Sequence, residues 1–144
     1  LYTVSTIIPS KRLRILLAED EYIYQRVIEK YIHDFDMQLT IVEDGEECLE
    51  KIERQEYDII LMDIVMPNLN GLETTQAIRK KGIDTPIIAV TSNTWKEDEE
   101  MSIDSGMNDF LPKPFNAQKL VKKITYWSKK NRSPATGKAL QKRE

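Results

Sequence analysis

Residues 57–71 read YDIILMDIVMPNLNG, and the architecture of the chain turns on how this stretch is read. Ile59, Ile60, Leu61 and Met62 form an unbroken apolar run of strand length, the pattern of a strand covered on both faces in a parallel sheet. Asp63 follows at once, at the carboxyl end of that strand, where open α/β sheets bind their ligands. Pro67, Asn68, Asn70 and Gly71 then signal a tight loop, because proline fixes φ while asparagine and glycine tolerate conformations that other residues resist. The segment therefore reads strand, carboxylate, rigid loop. Taken alone, Asp63 could equally be a helix cap or a turn former, so the rest of the chain decides its role.

Upstream, Arg14 to Ala18 (RILLA) is a second buried-strand run, and it too ends in acid, at Glu19-Asp20-Glu21. Ile23, Val27, Ile28 and Tyr31 then recur at helical spacing from Tyr22 to His33. Asp20 is a candidate cap for that helix. Gln38 to Val42 is a short strand, and Asp44-Gly45 turns into a helix over 46–54 with Leu49 and Ile52 inward. Downstream, a helix over 72–81 stops at Gly82. Pro86 to Val90 is an apolar strand ending in Thr91-Ser92-Asn93, and 95–104 is a helix stopped at Gly106. Asn108 to Leu111 is a strand running into Pro112-Lys113-Pro114, and Asn116 caps a last helix through about Lys129. Five strands alternating with five helices give an α/β doubly wound parallel sheet with helices on both faces.

The 144 residues allow one domain with a real core. The expected divisions are a linker or arm over 1–12, a folded domain over 13–130 and a flexible basic tail over 131–144. A net charge of -3 argues against direct nucleic-acid binding, which would call for a basic stripe over the folded part. The single cysteine, Cys48, excludes an internal disulfide and suits a reducing, cytoplasmic setting. It lies on a helix among Leu49 and Ile52 and reads as a small buried residue. No apolar run reaches membrane-spanning length. The opening LYTVSTII lacks a basic leader and a cleavage pattern. A start at Leu1 suggests a chain excised from something longer.

Parallel strands point their carboxyl ends the same way, so Glu19, Asp20, Asp63, Thr91 and Lys113 can converge on one pocket although they are far apart in sequence. Phosphoryl transfer to a carboxylate needs such a set. Crowded carboxylates repel unless a cation joins them, and oxygen ligands that leave positions to water and phosphate suit Mg²⁺. Asp63 would be the nucleophile. Lys113 would neutralise charge on the phosphoryl oxygens, and the Thr91 hydroxyl would donate a hydrogen bond to the acyl phosphate.

Four ordered pieces, LLAED, DIILMDIVMPNLNG, IIAVTS and GMNDFLPKPF, resemble the receiver domains of two-component response regulators over residues 13 to about 129. The resemblance implies a flavodoxin-like sheet of strand order 2-1-3-4-5, a cis Lys113-Pro114 bond, and Asp63 as phospho-acceptor. It also implies Mg²⁺ held by Asp20, Asp63 and the main-chain carbonyl of Val65, with Glu19 acting largely through water. Thr91 and Phe110 would report phosphorylation to the surface of the fourth helix, fifth strand and fifth helix; plain core packing is the alternative for Phe110. The partner would be a histidine kinase or a histidine phosphotransfer protein, and the wording of the motifs resembles the receiver of a hybrid sensor kinase more than that of a transcription factor. Such a chain is a signalling switch with slow self-dephosphorylation more than an enzyme. The sequence sets no oligomeric state. Val65 and Asn93 lie where family members position or exclude the attacking water, and valine cannot orient one.

A hydrolase of the haloacid-dehalogenase type would want an aspartate where Val65 stands. A nucleotide or flavin binder would want a glycine-rich loop after the first strand, where Glu19 and Asp20 sit instead. A receiver that only binds partners, without phosphorylation, would not need the full site set. His33 reads as a surface or capping residue, and Trp95 as a partly exposed anchor. An exposed member of Tyr22, Ile23 and Tyr24 would suit a partner helix carrying phosphohistidine, with core packing expected for Ile23.

Overall fold

Ile59–Met62 is β3, the middle strand of the sheet in the computed structural model, which describes residues 12–92 and 96–131. Around it, in chain order, stand β1 (Leu13–Ala18), α1 (Tyr22–Ile32), β2 (Met37–Val42), α2 (Gly45–Arg54), α3 (Gly71–Lys80), β4 (Ile87–Thr91), α4 (Lys96–Ser105), β5 (Asp109–Pro112) and α5 (Ala117–Asn131). The sheet order is β2-β1-β3-β4-β5, and every neighbouring pair is parallel. This is the expected doubly wound order.

The apolar runs are unbroken because both faces are covered. Ile15, Leu17, Ile59, Leu61, Ile88 and Val90 join Ile28 and Ile32 of α1 and Leu120 and Ile124 of α5 in one core. Leu16, Ala18, Ile60, Met62, Ile87 and Ala89 join Cys48 of α2 and Ile78 of α3 in the other. Alternate residues of each strand thus feed opposite layers. Each fully buried leucine or isoleucine contributes about 1.5–3 kcal/mol, which holds the strand tips in a fixed arrangement.

Local chemistry sets the ends. Asp44 caps α2 by accepting from the Glu47 N–H, and Asn70 with Glu73 forms a capping box at α3. Asn116 Oδ1 accepts from the Lys119 N–H at 2.8 Å, as expected of a cap. Gly82 and Gly106 end their helices at φ +81° and +115°, a region that favours glycine. Pro112 lies within β5, one residue beyond the expected strand, and is tolerated because β5 is an edge.

Two expectations fail on α1. Its inward residues are Gln25, Ile28 and Ile32, and Ile23, two positions and so about 200° around from Gln25, is 75% exposed instead of packed in the core. The N-cap is Glu21, without a side-chain cap bond, so Asp20 does not cap the helix. Arg12, placed in the arm by sequence, pairs with Asp36 at 3.0 Å beside the start of β1. The remainder of the arm, Asn93, Trp95 and the basic tail from residue 132 lie outside the described residues.

Candidate functional site

The sheet ladder continues past the strand ends and sets the site residues side by side. The Glu19 N–H donates to the Val42 carbonyl at 2.9 Å, Asp63 N–H to Ala18 at 3.0 Å, and Lys113 N–H to Thr91 at 2.8 Å. Glu19, Asp63, Thr91 and Lys113 are all buried, whereas Asp20 is exposed at the rim. The loop after Asp63 folds tightly back, with the Gly71 N–H donating to Ile64 O at 2.7 Å. A Cβ at Gly71 would collide with the Asp63 carbonyl oxygen, so glycine is required by this close approach.

Lys113 Nζ is the hub. It donates to Glu19 Oε1 at 2.7 Å and Glu21 Oε1 at 3.3 Å, and lies 3.6 Å from Asp63 Oδ2. Its side chain is only 5% exposed. The ring of Tyr24 covers it at 4.2 Å from the centroid. The Val65 N–H donates to Asp63 Oδ1 at 3.4 Å, and Val65 is 62% exposed. The Lys113-Pro114 bond is cis, as expected.

Charge is concentrated and partly shielded from water, and the titrations respond. Burial pushes Glu19 up to about 7, aided by Asp63 and opposed by the Lys113 hydrogen bond. Burial likewise raises Asp63 against the pull of Lys113. For Lys113, burial acts downward, but the Glu19 hydrogen bond and the charges of Asp63 and Glu19 outweigh it, and the ammonium is held above its ordinary range.

Carboxylate oxygens from Glu19, Asp20 and Asp63 lie within 4.8 Å of one another. Three hard oxygen donors, two of them with raised pKa values, fit a divalent cation that would relieve their repulsion. Oxygen ligation of this kind suits Mg²⁺.

Thr91 closes β4 at the same edge. Phe110 is partly buried against the core on the α2–α3 side. It stands opposite Ala89 and Thr91 opposite Pro112, so Thr91 and Phe110 are diagonal neighbours on one face. His33 is the exposed C-cap of α1, and Cys48 is fully buried, its thiol pushed up to about 12 by burial.

Three contributors were not placed in this pocket by sequence. Gln25, 4% exposed, donates to the Glu19 carbonyl at 2.7 Å and so holds the acidic turn from behind. Its signal was a polar residue at the inward position preceding Ile28 and Ile32. Glu21 and Tyr24 also reach Lys113, a convergence that no linear spacing announces.

Residues 15–125 match the response regulator receiver domain family, and the chain belongs to it. Among curated relatives it is 37% identical over 116 residues to the transcription factor SKN7 of Candida albicans, covering 81% of this chain and 21% of that protein. It is 37% identical over 145 residues to the hybrid signal transduction histidine kinase I of Dictyostelium discoideum, covering 92% of this chain and 8% of the kinase. The chain therefore spans about a fifth or less of these relatives. Among solved structures, the receiver domain of a Pseudomonas aeruginosa sensor histidine kinase, with a magnesium ion coordinated in its active-site cleft, is similar at 39% identity and TM-score 0.76, covering 82% of this chain and 98% of that one. A Francisella receiver domain is similar at 28% identity and TM-score 0.79, covering 84% of this chain and all of that one. No helix among the described residues is long and apolar enough to cross a membrane.

Proposed function

We propose that this receiver takes a phosphoryl group onto Asp63 from the phosphohistidine of a histidine kinase or phosphotransfer protein. The observation that carries the reading is the grouping of Glu19, Asp20 and Asp63 oxygens with the Lys113 ammonium at one sheet edge. In the transfer the donor N–P bond breaks as a bond forms between phosphorus and an Asp63 carboxylate oxygen, and the imidazole leaves with its electron pair. No redox change accompanies the step.

Asp20, Asp63 and the Val65 carbonyl would hold Mg²⁺, with Glu19 acting largely through water. Bound there, the cation would supply charge neutralisation for the phosphoryl oxygens. Lys113 shifts from Glu19 towards the new phosphoryl oxygens, and the Thr91 hydroxyl donates to one of them. Exchanging partners in this way favours a state with Thr91 and Phe110 drawn inward, and their shared sheet face supports that coupling. Tyr22 and Ile23, 68% and 75% exposed at the start of α1, offer an apolar contact for the donor helix. The relation to the Dictyostelium kinase over nearly the whole chain supports an origin in a hybrid kinase, and the single cysteine, Cys48, suits a reducing, cytoplasmic setting.

Intact mass after incubation with acetyl phosphate and Mg²⁺ tests the reading. The parent is expected to gain one phosphoryl mass, and Asp63→Asn none. An unmodified parent, or equal gain in both, overturns it.

A further inference from the structure

The Lys113 side chain is only 5% exposed, and beside its carboxylate partners the ammonium meets an aromatic ring. Tyr24 presents its face 4.2 Å from Nζ. That ring is held in turn: Tyr24 and Phe115 centroids are 6.0 Å apart, and Tyr31 packs edge-on to Phe115 at 6.1 Å. Phe115 is itself 7% exposed, so the trio forms a buttress from α1 to the start of α5. The carboxylates contacting Nζ are Glu19 and Glu21, with Asp63 beyond hydrogen-bond length at 3.6 Å.

A carboxylate fixes the direction of an N–H, whereas an aromatic face attracts the whole cation without fixing any N–H. A lysine that must exchange one anionic partner for another can therefore keep the ring contact throughout. We propose that Tyr24 is a positioning residue for phosphoryl transfer, holding the Lys113 ammonium through its ring face as Lys113 passes from Glu19 to the phosphoryl group. This rests on the reading of Asp63 as acceptor. Towards the phosphoryl site the ring lies over Lys113, and it acts through that ammonium.

The test compares the parent with Tyr24→Phe, Tyr24→Leu, and a protein carrying pentafluorophenylalanine at position 24, which keeps ring size but withdraws the negative face. The rate of phosphorylation from acetyl phosphate with Mg²⁺ is expected to be unchanged by Tyr24→Phe and about three- to tenfold lower in the other two. Independently, NMR is expected to show the Lys113 ε-methylene shifted upfield by the ring in the parent and in Tyr24→Phe, and not in Tyr24→Leu. A pentafluoro protein as fast as the parent, a Tyr24→Phe as slow as Tyr24→Leu, or a Lys113 signal indifferent to Tyr24→Leu overturns the proposal. Should Tyr24→Leu fail to fold, the size-matched fluorinated protein decides the matter. A parent that accepts no phosphoryl group refutes the functional reading instead, and the NMR comparison still decides the ring contact.

Discussion

Replacing Lys113 by methionine keeps the length of the side chain and removes a cation that lies 2.7, 3.3 and 3.6 Å from the carboxylates of Glu19, Glu21 and Asp63. Glu19 is wholly buried and loses its 2.7 Å partner, while Asp63 loses a charge at 3.6 Å. Breaking a buried pair from one side costs about 3–5 kcal/mol when the other charge stays ionised. Glu19 has a way out, because its folded pKa is already raised to about 7 from 4.5. A carboxyl raised in this way favours the fold below its unfolded pKa, and the benefit is lost as pH rises through the folded value. Without Lys113, which lowers the Glu19 pKa, the folded value rises further, so the variant goes on losing stability at a pH where the parent has finished. The stability gap between parent and Lys113→Met should therefore widen by roughly 1 kcal/mol from pH 6 to pH 8. Urea unfolding in the presence of a chelator at pH 6, 7 and 8 measures this directly. Adding Mg²⁺ should then stabilise the variant more than the parent at pH 8, since the cation would take over part of the work of the ammonium. A gap that stays constant or narrows with pH would show that Lys113 does not govern the ionisation of Glu19.

Gly71→Ala forces a methyl against the Asp63 carbonyl oxygen and to 2.9 Å from Ile64 Cα. It should cost about 1–3 kcal/mol in thermal or urea unfolding and slow phosphoryl acceptance; a neutral effect on both would contradict the close approach. Cys48, with its thiol pushed up to about 12 and no exposed surface, should react with a chromogenic disulfide reagent at neutral pH only as fast as the protein opens. Reaction within the mixing time would refute its burial. Val65→Asn places an amide beside Asp63 at a 62% exposed position and should speed loss of the phosphoryl group severalfold, read as a time course of intact mass. Equal or faster loss in the parent would count against it.

The strands and their order were legible because Ile59 to Met62 and Ile15 to Ala18 are too apolar to be half-exposed, and because each run ends in a chemically distinctive residue. The tips that matter were legible for the same reason: parallel topology turns Asp63, Thr91 and Lys113, distant in sequence, into neighbours. What escaped were properties of helix rotation. Whether Gln25 or Ile23 faces inward depends on how α1 docks, and hydrophobicity pointed to the wrong one because the buried polar residue has a backbone partner in the Glu19 carbonyl. The assembly around Lys113 was half-visible. Glu19 and Asp63 follow from the topology, while the reach of Glu21 and the Tyr24 face depend on rotamers and on Phe115 across the site.

We propose that one carboxylate, Asp63, becomes covalently loaded. Treatment with acetyl phosphate and Mg²⁺, reduction of the acyl phosphate by borohydride and peptide mass mapping would locate the loaded residue. The reduced alcohol side chain is expected at position 63 alone. Reduction at Glu19 or Asp20, or at no acidic residue of the pocket, would contradict it.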